Sequence, residues 1–275
     1  MSRLSVTLLY VPADRPDRVA KALATDADVV IVDLEDAVAP SAKAAARDAV
    51  PGLVSAADPD RVQVRVNGSS SPWGRDDLAM VASLPAGVSV RLPKVESLGA
   101  VDVALDVLDG RSVHALLESA LGVEHAFSIA AGGVASVGLG EQDLRSELGV
   151  DDRGLAWARG RVVVAARAAG LPPPVQSVFT HLHDPDGLVS SCRAGRALGF
   201  VGRCAIHPGQ LAVIRAAYRP DGAEVDRARD LLAQVDSARR AGSGVAVLTD
   251  GSFVDAAMVE GARRVLELAR LTADG

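Results

Sequence analysis

Short runs of aliphatic and β-branched residues recur along the chain, each followed by a polar loop and a longer segment of helical period. The strand-like runs are Leu4–Val11, Asp28–Leu34, Arg61–Val66, Val88–Leu92, Ser112–Leu117, Val134–Leu139, Val175–Phe179 and Arg203–Ile206. The helical segments are Asp17–Thr25, Ser41–Ala56, Arg75–Ser83, Leu98–Leu108, Gly122–Ala131, Leu155–Ala169, Leu188–Leu198 and Gln210–Tyr218. Strict alternation needs parallel strands joined by right-handed crossovers, which leaves an open doubly wound sheet or a closed barrel. An open sheet of this kind would carry a glycine-rich dinucleotide loop after its first strand. The loop here, Pro12-Ala13-Asp14-Arg15-Pro16, has no glycine. Eight units within about 220 residues also approach the usual barrel size of ~250 residues. The expected fold is α/β, a (β/α)8 TIM barrel over residues 1–220.

After Pro220 the pattern changes. Glu224–Arg240 is a charged amphipathic helix, and Gly242-Ser243-Gly244 then breaks the chain. Val245–Leu248 and Phe253–Val254 flank a Thr249-Asp250-Gly251-Ser252 turn and read as a hairpin, and a helix over Met258–Leu271 closes the chain. A closed barrel does not need this segment. Residues 221–275 are therefore expected to form a C-terminal helical and hairpin extension, serving as a lid or an oligomer contact.

Composition excludes several classes. Hydrophobic residues make up 49% of the 275 residues and aromatics only 3%, so the core must be built from Ala, Val, Leu and Ile. Such side chains suit strands buried on both faces. A formal net charge of −6 does not supply the cationic surface on which nucleic-acid binding relies. No apolar run approaches the ~20 residues of a membrane span, and the N-terminus lacks a signal-peptide pattern. Cys192 and Cys204 are the only cysteines, which rules out a disulfide framework, a tetrathiolate zinc site and an iron–sulfur cluster. A cytoplasmic protein with neither nucleic acid nor membrane as partner is expected.

In a barrel, functional residues sit where strands end and the following loops begin. The strand ends read Asp33-Leu34-Glu35-Asp36, Arg65-Val66-Asn67-Gly68, Pro93-Lys94-Val95-Glu96, Glu118-Ser119, Gly138-Leu139-Gly140-Glu141-Gln142-Asp143 and His207-Pro208. For Asp33, Asp36 and Glu96, capping of a helix N-terminus explains the carboxylate equally well. It explains Glu118 poorly, because that residue directly follows the apolar run Val113–Leu117. Carboxylates from separate strands, with no thiolate cluster and no histidine pair at zincin spacing, suggest a hard divalent cation. Mg²⁺ prefers one or two carboxylates together with waters and ligand oxygens. Glu118 and Asp143, on adjacent strands, are the natural pair. His181 and His183 alternate along one strand face but lack an evident third ligand. Cys204 reads as a small core residue. Trp73, in a Gly/Ser/Pro loop, suits either packing over a ligand or capping the barrel edge.

These motifs together resemble the citrate lyase β-subunit-like family of acyl-CoA lyases, within the HpcH/HpaI aldolase superfamily. The matching stretches are Val11-Pro-Ala-Asp-Arg-Pro-Asp-Arg18, Asp33-Leu-Glu-Asp-Ala37 with Lys43, Arg65-Val-Asn-Gly68 and Pro72-Trp-Gly-Arg-Asp-Asp-Leu78. Leu92-Pro-Lys-Val-Glu-Ser97, Leu117-Glu-Ser-Ala-Leu-Gly122, Gly138-Leu-Gly-Glu-Gln-Asp-Leu144, Asp184-Pro-Asp-Gly-Leu188 and Gly199-Phe-Val-Gly-Arg-Cys-Ala-Ile-His-Pro208 continue it. The resemblance covers nearly the whole chain. It implies that Glu118 and Asp143 are Mg²⁺ ligands, with Mn²⁺ as a substitute, and that Arg65 binds substrate and stabilises a thioester enolate. It further implies that Glu35 and Asp36 lie near the metal, that Arg15 and Lys94 contact substrate or CoA, and that Asp255 is an acid/base lent by a neighbouring subunit. Two departures stand out: Phe253 and Ala257 replace the family's usual Met and Pro beside Asp255, and Gln142 replaces a usual Glu.

The expected activity is Mg²⁺-dependent cleavage, or the reverse formation, of a 3-hydroxyacyl-CoA such as malyl-, citramalyl- or hydroxymethylglutaryl-CoA. The partners would then be an acyl-CoA and a small oxo acid, and the resemblance implies a homo-oligomer, a trimer or hexamer. Alternatives are a CoA-independent class II aldolase of free 2-oxo acids, thioester hydrolysis after condensation, and the β subunit of a citrate lyase complex acting on an acyl-carrier thioester. A degenerate, purely binding barrel is disfavoured by the intact Arg65, Glu118 and Asp143 set.

Overall fold

The structure, a computed structural model, describes residues 4–240, 246–247 and 253–273. The chain divides into two compact units, one ending at Ile214 and the other beginning at Arg215. In the first unit seven parallel strands form one curled sheet. They are β1 (Thr7–Pro12), β2 (Val29–Asp33), β3 (Val62–Arg65), β4 (Ser89–Leu92), β5 (Val113–Leu117), β6 (Ser136–Leu139) and β7 (Arg203–Ala205), in the order β6-β5-β4-β3-β2-β1-β7. β2 is buried at every position, as its unbroken aliphatic run requires of a strand covered on both faces. The architecture is that of a TIM-barrel-like half-barrel.

The sequence pattern places an eighth strand at Val175–Phe179, and here the structure differs. Only Gln176 forms a bridge, pairing with Arg203. The Gln176 amide donates to the Gly202 carbonyl at 2.8 Å and the Cys204 amide to the Gln176 carbonyl at 3.0 Å. The run Pro172-Pro173-Pro174 ahead of it has no backbone N–H to give to a ladder. On the other side, residues of the β6 end and of 175–178 line the same cavity rather than pairing. The seam of the sheet is thus where a cavity opens.

The helices fall close to their expected positions, with α1 at Pro16–Leu23, α2 at Lys43–Val54, α3 at Gly74–Ala82 and α4 at Leu98–Leu108. α4 starts where Ser97 accepts from the Ala100 amide at 3.4 Å, a side-chain cap of the usual kind. The expected helix Gly122–Ala131 is two short ones, α5 (Ala120–Glu124) and α6 (Ala126–Ala130). They break at His125, whose Nδ1 pairs with the Glu96 carbonyl at 2.7 Å. α7 (Glu141–Leu148) has no counterpart in the pattern, because only Leu144 and Leu148 of its eight residues are apolar. α8 (Ala156–Ala168), α9 (Pro185–Leu198) and α10 (Leu211–Tyr218) complete the alternation. The second unit holds α11 (Gly222–Arg240), the antiparallel pair β8 (Ala246–Val247) and β9 (Phe253–Val254), and α12 (Ala256–Leu271). The expected turn at 249–252 lies outside the described residues.

Parallel register places Asp33, Arg65, Arg91, His114 and Ser136 side by side across β2 to β6. This is a polar diagonal where barrels usually stack branched aliphatics. His114 Nδ1 pairs with Ser136 Oγ at 2.8 Å, and burial together with the positive Arg91 pushes its pKa down to about 3. The unfolded chain, with an ordinary histidine near ~6.5, takes up this proton first. Stability conferred by neutral His114 is therefore full above that value and is lost as pH falls toward 3. The wild type should lose up to about 2 kcal/mol more than His114→Gln between pH 7.5 and 5. Urea midpoints of the two proteins at both pH values measure this, and equal losses would refute it.

Candidate active site

At the C-terminal ends of the strands lies a cavity of about 460 Å³, lined among others by Tyr10, Arg65, Arg91, Glu118 and Asp143. Arg65 ends β3 directly opposite Asp33. Its Nε and Nη2 donate to the two Asp33 carboxylate oxygens at 2.7 and 2.6 Å, the two-point geometry that fixes a guanidinium plane. Nη1 pairs with Glu35 at 2.9 Å and Asp36 at 3.6 Å, and the guanidinium lies 5.0 Å over the Tyr10 ring. Burial opposes the charge, but the Asp33 hydrogen bonds and the charges of Asp33 and Glu35 outweigh it and raise the Arg65 pKa.

The β2–α2 loop that carries Glu35 is pinned from below. The buried Lys43 ammonium donates to the carbonyls of Leu34 at 2.9 Å and Glu35 at 2.8 Å and sits 5.3 Å from the Trp73 ring. Trp73 therefore packs on Lys43 and is not part of the cavity lining. Asn67 Nδ2 adds a bond to the Leu34 carbonyl at 3.0 Å and is itself held by Asp77 at 2.7 Å. Lys43→Met should destabilise the protein by about 1–3 kcal/mol, since two carbonyls each lose a charged donor, though Asn67 and the Val38 amide still reach them. It should also loosen Glu35, which denaturant melts and a matched activity assay would read together; unchanged values in both would remove Lys43 from this role.

Lys94 joins two parts of the site. Its ammonium, half exposed, donates to Glu35 at 2.6 Å and lies 3.7 Å from Asp36. Its backbone stands at φ +53°, a left-handed conformation unusual for a side-chain-bearing residue, and its N–H donates to Glu118 Oε1 at 2.9 Å. Glu118 is buried, and burial, only partly offset by this N–H, raises its pKa to about 7, with Glu35 and Asp143 adding to the rise. Gly140 faces it so closely that a Cβ there would come within 2.3 Å of Glu118 Cγ. Asp143 stands in the first turn of α7 and lines the same cavity. Neither Glu118 nor Asp143 has a cationic side chain within ion-pair distance among the described residues, whereas Glu141 is fully engaged by Arg159 at 3.0 and 2.6 Å.

Two carboxylates of this kind, one of them costly to keep charged when alone, fit a hard cation that takes its remaining ligands from water and substrate. No group of three or more His, Cys, Asp or Glu side chains able to hold a metal occurs among the described residues. That applies to His181 and His183, which line a separate cavity with His207. Arg15 is exposed, near Asp14 at 3.9 Å, and it is Arg18 on α1 that lines the main cavity. Cys204 packs with Leu8, Val29 and Ile31 in the core. Asp255 belongs to the second unit, where it is exposed and accepts from the Met258 amide at 2.7 Å as the cap of α12. Sequence reading passed over Asp33 as an active-site residue, although its place at the end of β2 was the available signal, and it did not single out Tyr10 or Arg91.

A curled parallel sheet that offers carboxylates and a clamped guanidinium to one cavity at its strand ends defines an aldolase-type barrel enzyme. Residues 6–208 match the HpcH/HpaI aldolase/citrate lyase family. A (3S)-malyl-CoA thioesterase of Cereibacter sphaeroides is 37% identical, covering 97% of this chain and 95% of its own. The citrate lyase subunit beta of Leuconostoc mesenteroides is 33% identical, covering 97% and 94%. The CitE protein of Mycobacterium tuberculosis, solved with magnesium, acetoacetate and coenzyme A, superposes with a TM-score of 0.80 at 35% identity, covering 98% of this chain and 100% of its own. The chain belongs to the HpcH/HpaI aldolase/citrate lyase family and is an enzyme of its citrate lyase β-subunit-like, CoA-ester lyase type. No helix among the described residues is long and apolar enough to cross a membrane.

Proposed function

We propose that the protein cleaves, or forms, the carbon–carbon bond of a 3-hydroxyacyl-CoA in a Mg²⁺-dependent reaction. Malyl-, citramalyl- and hydroxymethylglutaryl-CoA are the candidate substrates, giving a short acyl-CoA and an oxo acid. One observation carries this reading above the rest: Arg65 is held by Asp33 and Glu35 in the cavity that also receives Glu118 and Asp143, neither of which has an ion-pair partner among the described residues. Mg²⁺, when held by Glu118 and Asp143, supplies Lewis acidity to the oxygen that becomes the new carbonyl.

The remaining work falls to the chain's own groups. Of the five guanidinium N–H bonds of Arg65, Asp33 takes two, while Glu35 faces Nη1 as an ion pair at 2.9 Å without a directed hydrogen bond, so N–H donors remain for a ligand. As the Cα–Cβ bond breaks, its electron pair moves onto the thioester carbonyl, where a permanent cation with fixed donors stabilises the growing charge. Asp255 of a neighbouring subunit takes the hydroxyl proton and can return it to the enolate carbon, completing the acyl-CoA. Lys94 and Asp36 hold Glu35 and Arg65 in register, and Lys94 together with Arg15 and Arg18 supplies positive charge near the mouth for CoA phosphates.

Hydrolysis of malyl-CoA is the second reading, favoured by the 37% identity to a thioesterase. Incubating the purified chain with each CoA ester and with the free 2-oxo acids separates the cases. Acetyl-CoA plus an oxo acid supports cleavage, free CoA plus the intact hydroxy acid supports hydrolysis, and turnover of free acids alone would refute both. Mixing Arg65→Met with Asp255→Asn protomers should restore part of the activity if Asp255 acts across a subunit boundary in a trimer or hexamer. Light scattering gives the oligomeric state.

A further inference from the structure

The polar diagonal across the sheet is partnered unevenly. Arg65 is surrounded by carboxylates, but its registered neighbour Arg91 is only 3% exposed and has no carboxylate within ion-pair distance among the described residues. Its Nε and Nη2 donate to one neutral acceptor, Gln63 Oε1, at 3.1 and 2.9 Å. A guanidinium does not shed its proton, so this is a permanent charge kept out of water without a counter-ion. Nη1 makes no hydrogen bond among the described residues. It lies 3.9 Å from where a Cβ of Gly138 would stand, with Leu116 Cδ2 nearer at 3.1 Å, and Gly138 and Leu116 line the active-site cavity. The Tyr10 phenol likewise has no hydrogen-bond partner among the described residues. Arg91 is the strongest charge acting on it, and burial keeps it protonated and able to donate. Both residues line the cavity that holds Arg65, Glu118 and Asp143.

We propose that Arg91 and Tyr10 form a carboxylate-binding subsite in the wall of the active-site cavity, selecting an oxo-acid fragment that bears a second carboxylate. The proposal rests on the lyase reading, in which the first carboxylate belongs to the Glu118 and Asp143 end of the cavity. It also narrows that reading: malyl-, citramalyl- and hydroxymethylglutaryl-CoA would release oxo acids with one carboxylate, so the preferred thioester is one whose oxo-acid fragment carries two. A fixed guanidinium and a phenol offer a carboxylate two directed donors, and the anion supplies the counter-charge that Arg91 lacks.

The test is calorimetric binding of pyruvate, oxaloacetate and 2-oxoglutarate to the full chain with saturating Mg²⁺. For the wild type, at least one dicarboxylate should bind tenfold or more tightly than pyruvate. Arg91→Gln, which can still meet Gln63, should erase that preference while changing pyruvate affinity by less than threefold. Tyr10→Phe, the milder change, should reduce it in the same direction. Equal affinities in the wild type, or equal losses for all three acids in Arg91→Gln, overturn the subsite while leaving the lyase reading intact. Failure of the wild type to bind any of the three overturns both.

Discussion

Arg65→Met is expected to lower kcat by about 10²–10³-fold, the usual loss when a fixed donor to a developing oxyanion is removed. The same substitution should also destabilise the fold by about 3–5 kcal/mol, because it leaves Asp33 buried without its cation and Glu35 with Lys94 alone. The two effects can be separated. Arg65→Lys keeps the charge and should recover much of the stability, but an ammonium cannot span both Asp33 oxygens and still present two donors to a ligand. Its kcat should therefore stay within about tenfold of the Met variant while its melting temperature moves toward the wild type. Measuring kcat, KM and thermal unfolding of both variants decides the matter. Activity that recovers in step with stability would show Arg65 to be structural only.

Glu118→Gln should abolish Mg²⁺-dependent turnover and Mg²⁺ binding while leaving the melting temperature equal to or above that of the wild type. The amide keeps an acceptor for the Lys94 N–H at the Oε1 position, and the cost of a charge in a buried site disappears. An alanine would be a poorer test, since it would also orphan that N–H. Asp143→Asn should match the loss of activity. Its stability change should be no more than about 1 kcal/mol, reflecting the lost interaction of an exposed carboxylate with the α7 N-terminus. Mg²⁺ titration calorimetry beside steady-state assays reads both quantities. Full activity in either variant would end the assignment of these residues as ligands.

Much of this site is legible in the chain because barrels put chemistry in predictable places. The strands end at Asp33, Arg65 and Leu117, within a residue of the ends of the aliphatic runs, and the polar residues at or just after those ends meet in one cavity. Glu118 could be singled out because no helix-capping role explained it. Asp33 could not, since a carboxylate at a strand end serves a helix cap equally well until register places it opposite Arg65. Arg91 was hidden for a different reason. One arginine within Val88–Leu92 looks like an interruption of a buried strand, and only register and its place in the cavity lining show what it faces. The polar composition of Glu141–Leu148 concealed α7, whose first turn carries Asp143.

The sequence by itself determined the parallel α/β architecture, since hydrophobic period and strict alternation are local properties that admit few topologies. It also determined, through motif order, the family and the residues at most strand ends. Tertiary structure alone decided where the sheet stays open, because that depends on what the donor-less Pro172–Pro174 run leaves for 175–179 to pair with. It also decided how the charges are shared. Carboxylates neutralise Arg65, Arg159 occupies Glu141, and among the described residues Glu118, Asp143 and Arg91 have no oppositely charged side chain within ion-pair distance. Pairing across twenty to sixty residues is a matter of distance in space, and spacing along the chain does not encode it.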